Sequence, residues 1–101
     1  MKPKVRFIDV KPYGEKFLLS DPVGISPPLL ITPELLFILS LLDGSREIRE
    51  VQAEFLKRSG KIITYDELLE IINFLDENFL LYNERFINKL REEKQKLLQK
   101  G

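Results

Sequence analysis

With 101 residues, 44% of them apolar and 32% charged, the chain has the material for one small domain with a thin core. Two independent cores and disorder throughout are both excluded. Sixteen basic residues balance sixteen acidic ones, so no net field draws the protein to a polyanion. The absence of both cysteine and histidine excludes thiol nucleophiles, zinc fingers, thiolate-bound clusters and any Ser-His-Asp arrangement.

The opening Met1-Lys2-Pro3-Lys4 has the basic start of a signal peptide, but Arg6, Asp9, Lys11, Glu15 and Lys16 break what would be its apolar region. A cytoplasmic protein without a secretory leader is expected. Five of the six prolines fall within residues 1–31, which therefore cannot hold a long helix. Val5, Phe7, Ile8 and Val10 suggest one extended piece, residues 17–19 a second and residues 29–31 a third. The turn signals Pro12-Tyr13-Gly14 and Asp21-Pro22-Val23-Gly24 separate them.

Thr32-Pro33 marks a helix start, since the threonine hydroxyl accepts from a free amide and proline at N1 gives up a donor that had no partner. The helix is predicted over 33–42, and its near-absence of a polar face places it inside the protein. Asp43-Gly44-Ser45 is a tight stop and restart, with Gly44 suited to the left-handed conformation and Ser45 to capping a helix over 46–59. An aspartate in that turn binds neighbouring backbone; a structural role outweighs a catalytic one. Ile48, Val51 and Phe55 give the second helix its apolar side, and Gly60 ends it.

Thr64 and Glu67 have the spacing of a reciprocal capping box, which predicts a third helix over 65–78. Residues 79–82 read as an extended segment, and a fourth helix starting near Asn83 turns Phe86, Ile87 and Leu90 inward. Beyond Leu90 no apolar residue occurs before Leu97 and Leu98, so the heptads a coiled coil needs are interrupted. The tail reads as a helix leaving the domain. The expected division is 1–31 as an extended or β segment, 32–82 as a helical core and 83–101 as a C-terminal helix. The class is α+β, mostly helical.

Little in the chain can do chemistry. The carboxylate pairs Asp66/Glu70 and Glu50/Glu54 share helix faces, but no loop gathers the six or so oxygen ligands that a hard metal takes. Glycines at 14, 24, 44, 60 and 101 are too dispersed for a phosphate-binding loop. Neither a cofactor nor a metal is expected, and the chain is expected not to be an enzyme.

Three short helices followed by an extended segment suit a winged-helix domain, whose third helix would enter the major groove. Here that helix carries Asp66, Glu67, Glu70, Asp76 and Glu77 and no basic residue, so it would repel phosphates. The tail bears Arg85, Lys89, Arg91, Lys94, Lys96 and Lys100, diluted by three glutamates. Nucleic acid and membrane surfaces are both disfavoured as partners. Abundant Lys and Glu without Cys leans toward a thermophilic composition.

Three segments carry a resemblance: Ser20-Asp21-Pro22-Val23-Gly24-Ile25, then "ITPELLFILSLLDG" over 31–44, then 75–81 leading into Asn83-Glu84-Arg85-Phe86. Over roughly residues 3–90 the chain resembles the small domain that precedes the Memo-like catalytic domain in some proteins of the AmmeMemoRadiSam grouping. Over about 30–82 it is similar to PqqD-like domains, which have a winged-helix-like fold and bind peptides or present them to radical enzymes. The resemblance implies a PqqD-like bundle of three or four helices with short N-terminal strands. It also implies an accessory role, with the chemistry in a neighbouring domain whose histidines and cysteine have no counterpart here. The expected partner is a peptide or protein, such as a Memo-like protein or a radical enzyme. It would dock at a sheet edge near 17–31 or on Phe86, Ile87, Leu90, Leu97 and Leu98 of the last helix, which also offers a route to a homo-oligomer. A nucleic-acid-binding winged helix is the alternative.

Overall fold

The proline-rich first third forms a sheet rather than a helix. In the computed structural model, which describes residues 1–99, β1 (Asp9–Tyr13), β2 (Lys16–Ser20) and β3 (Leu29–Ile31) make an antiparallel sheet in the order β1-β2-β3. Tyr13 pairs with Lys16 around Gly14-Glu15, and Gly14 has φ 61° at the position where two-residue hairpins select glycine. The first strand begins later than expected, at Asp9 instead of Val5. Pro12, expected in the turn, lies inside the strand opposite Phe17. Pairs alternate from the turn-closing Tyr13 and Lys16, so the Pro12 nitrogen faces the free edge, where a missing N–H costs no ladder bond.

The rows Val10–Leu19–Leu29 and Pro12–Phe17–Ile31 share one face of the sheet, and Leu19 and Ile31 are buried from it against the body. Val5, expected to open the first strand, instead lies with residues 3–6 in a strap between two other segments. Val5 N donates to Leu42 O (2.9 Å) and Gly44 N to Pro3 O (3.1 Å) on one side. On the other, Arg6 N donates to Leu80 O (2.9 Å) and Tyr82 N to Lys4 O (2.8 Å). The strap thereby closes the segment 42–44 onto the segment 80–82.

The four helices among the described residues are α1 (Pro33–Leu41), α2 (Ile48–Ser59), α3 (Tyr65–Glu77) and α4 (Glu84–Gln99). Thr32 caps α1 by accepting from Leu35 N (3.2 Å), and Pro33 occupies its first turn. The Thr64–Glu67 capping box forms on α3, and Gly60 ends α2 in the left-handed region at φ 73°. Ser45 does not cap α2, which starts two residues later than expected. Asp43 Oδ1 accepts from both the Ser45 amide and hydroxyl, and Glu47 with Glu50 forms the capping box instead. The aspartate captured the hydroxyl that the cap would have used.

Leu41, Val51, Phe55, Leu68, Leu75 and Leu80 are almost wholly enclosed and mark the centre of the core, with the Phe37 and Phe55 rings 5.9 Å apart. Burial of each such side chain is worth roughly 1.5–3 kcal/mol. The result is an α+β, mostly helical, winged-helix-like bundle with short N-terminal strands and a C-terminal helix. Among the described residues no helix is long and apolar enough to cross a membrane.

Candidate functional site

The last helix and the residues at its root set this protein apart from a plain bundle. Asn83 starts α4: its Oδ1 accepts from Phe86 N (3.1 Å) while its amide nitrogen donates to Asp76 Oδ1 (2.7 Å) in the last turn of α3. Arg85 Nε pairs with Asp76 Oδ2 at 3.3 Å. Phe86 is buried, and Ile87 and Leu90 are half-buried. Leu97 and Leu98 stand clear of the body, 72% and 81% exposed.

At 100° per residue, Phe86, Leu97, Leu90, Ile87 and Leu98 fall within one stripe of about 120°. Only Lys94 interrupts it, and a lysine stem can lie along such a stripe with its ammonium in water. Lys89 and Lys96 flank Glu93 beside the stripe (3.3 and 3.6 Å) and hold its carboxyl below the usual range. The radius of gyration is 15.0 Å and the long axis 54 Å, against about 13 Å for the radius of a compact chain this size. The expected C-terminal helix over 83–101 is observed as Glu84–Gln99; Lys100 and Gly101 lie outside the described residues.

At the root of α4 lies a buried polar knot that sequence reasoning missed. The Arg6 guanidinium donates through Nε to Phe79 O (2.8 Å) and through Nη2 to Asp21 Oδ2 (2.7 Å) and Ser26 Oγ (2.9 Å). Ser26 Oγ in turn donates to Phe79 O (3.1 Å). The Arg6 and Asp21 side chains are only 4% and 1% exposed. Asp21 also accepts from the amides of Val23 (2.9 Å), Ile25 (2.9 Å) and Ser26 (2.8 Å), which folds the 21–26 loop around its carboxylate.

Burial alone would raise the Asp21 carboxyl; Arg6 and the three amides outweigh it and bring it to about 2. Phe79 holds φ 60°, unusual for a bulky residue, and presents its carbonyl to both donors. The Phe86 ring lies against the guanidinium, 3.9 Å from centroid to Cζ. No buried side-chain nitrogen or oxygen among the described residues lacks a partner. Two signals were readable in sequence: a single arginine amid Val5, Phe7 and Ile8, and an aspartate opening a Pro-Val-Gly turn.

Two apolar clefts flank the knot. One, of about 210 Å³ between sheet and α1, is lined by residues including Ile8, Val10, Leu19, Leu36 and Leu39. The other, of about 390 Å³, is rimmed by Phe7, Val23 and Tyr82 above Phe86. Arg6 borders both and is engaged in the knot; Ser40 also lines the first cleft and Lys4 the second. Among the described residues no group of three or more Asp or Glu side chains is placed to hold a metal ion.

The exposed positions of α3 are Asp66, Glu67, Glu70 and Glu77 together with Tyr65, Asn73 and Phe74, so every charge among them is negative. Thr32, Pro33, Gly60, Thr64 and Glu67 sit at the helix ends, as their types suggested, and Asp43 with Gly44 and Ser45 makes the α1–α2 turn. The structure does not bring these turn and cap residues together into one site.

No family model and no solved structure matches the chain. Over all 101 of its residues the chain is 63% identical to a protein of Aquifex aeolicus (strain VF5). That relative is a MEMO1 family protein. The chain is similar to its N-terminal part and spans 27% of its length. The match to the MEMO1 family protein supports the association with Memo-like proteins that the three motifs implied, and every one of those motifs falls within it.

Proposed function

We propose that this chain is a non-catalytic accessory domain that docks a Memo-like protein through α4. The observation that carries this reading is the apolar stripe of α4, whose Leu97 and Leu98 leave the body uncovered. The similarity to the N-terminal 27% of a MEMO1 family protein supports it, because the bulk of that relative lies beyond the segment ending in the equivalent of α4. In this reading residues 1–31 and 32–82 form the body, with PqqD-like architecture, and 83–101 form the docking element. The setting is cytoplasmic, and no cofactor is bound. The acidic α3 surface speaks against nucleic acid as the partner.

The test is an NMR titration of the isotope-labelled chain with the remaining portion of the Aquifex aeolicus relative, expressed separately. Shifts concentrated at residues 87–98, and their loss in Leu97→Glu/Leu98→Glu, are expected. Unchanged spectra at saturating protein would overturn the reading, as would shifts confined to residues 17–31. A radical enzyme in place of the Memo-like portion, sedimentation of the chain alone, and a low-salt DNA titration check the other assignments. Binding to the enzyme only, self-association through α4, or salt-sensitive DNA capture would each displace it.

A further inference from the structure

We infer that the Arg6 knot is a positioning device that fixes the direction in which α4 leaves the body, making the helix a rigid strut instead of a hinged tether. The inference rests on the docking role for its biological use, while its physics belongs to this chain alone.

The root of α4 is held at two places. Asp76 grips Asn83 and Arg85 from the end of α3, and Arg6 grips Phe86 from the N-terminal strap. Arg85 and Phe86 point about 100° apart around the helix axis. A single tie would leave a swivel about the connection after α3; two ties on different sides remove it.

The guanidinium is held against sliding under the ring, because four hydrogen bonds tie it to Phe79 O, both Asp21 carboxylate oxygens and Ser26 Oγ. Asp21 is pinned by three amides, and Phe79 keeps a left-handed conformation that persists only where surroundings over-determine it. Buried ionic networks add little net stability over an apolar replacement of the same shape. Fixed geometry is what this one is fitted to supply: it joins the strap, the 21–26 loop, the turn after α3 and the first turn of α4 at one point.

The chain has no cysteine, so two can be introduced without interference. Lys57→Cys on α2 and Gln95→Cys on α4, both exposed positions, would carry spin labels for distance measurement by pulsed electron resonance. The parent is expected to give one narrow distance peak. Arg6→Met/Asp21→Asn, which removes the fork without leaving a charge unpaired, should broaden or displace that peak while the thermal melt stays cooperative. Phe86→Leu, which keeps an apolar root and removes the ring, should do the same and carries the test if the double variant does not fold. A broad peak in the parent, or the same narrow peak in the folded variants, would overturn the inference. Neither result depends on whether a Memo-like partner binds.

Discussion

Arg6 and Asp21 differ from the chain's other ion pairs in being dry. Pairs such as Lys61–Glu34 and Arg58–Glu54 lie in solvent, where screening leaves little net stabilisation. Removing one member of the dry pair strands the other. Arg6→Met is therefore expected to cost about 3–5 kcal/mol in urea denaturation, and Arg6→Met/Asp21→Asn markedly less. Equal losses would show that the charge pairing is not what is being removed.

Acid sensitivity has a definite sign at the same residue. The Asp21 carboxyl titrates near 3.8 when unpaired and at about 2 in the fold, so between those values the unfolded chain binds more protons. Its contribution, about 2 kcal/mol, is complete above the unpaired value and is lost as pH falls through the folded one. The stability gap between parent and Asp21→Asn should shrink steadily from pH 5 to about pH 2. A constant gap across paired melts would contradict the assignment. The sequence shows Arg6 and Asp21 as out-of-place charges but not that they meet. Arg6 reaches Asp21 across 15 positions and Phe79 across 73, and separations of that kind leave no periodicity to read.

Helix ends were legible because capping is local chemistry. Thr64 and Glu67 lie three residues apart and satisfy each other's backbone amides, so the sequence already contains the whole interaction. Thr64→Ala should cost about 1 kcal/mol, read from the melting midpoint. The α2 start was misjudged for the opposite reason: Ser45 had two suitors, and the nearer carboxylate of Asp43 took it. Gly44 shows the same mixture. Its φ of 86° follows from the turn, but a Cβ there would also meet the Lys4 stem at 3.3 Å, a contact that only the strap creates. Gly44→Ala is expected to destabilise by roughly 1–2 kcal/mol from backbone conformation, with the lysine yielding. The same melt checks it.

At the scale of the whole molecule, folding and the proposed docking role draw on separate parts of one helix. Phe86 belongs to the core and Leu97 and Leu98 to solvent, a division set by where the body ends and already marked in the sequence by the apolar gap between Leu90 and Leu97. Leu97→Glu/Leu98→Glu should change unfolding free energy by less than about 0.5 kcal/mol, since no buried contact is lost. A larger loss would mean that the end of α4 folds back onto the body. The opposite end of the chain shows how such exposure is kept harmless. β1 is open along its full length, and a bare strand is ordinarily a template on which further copies add. Pro12 turns its ring toward that open side, so an incoming strand finds a donor missing in mid-row and stacking into fibrils is interrupted at its first step.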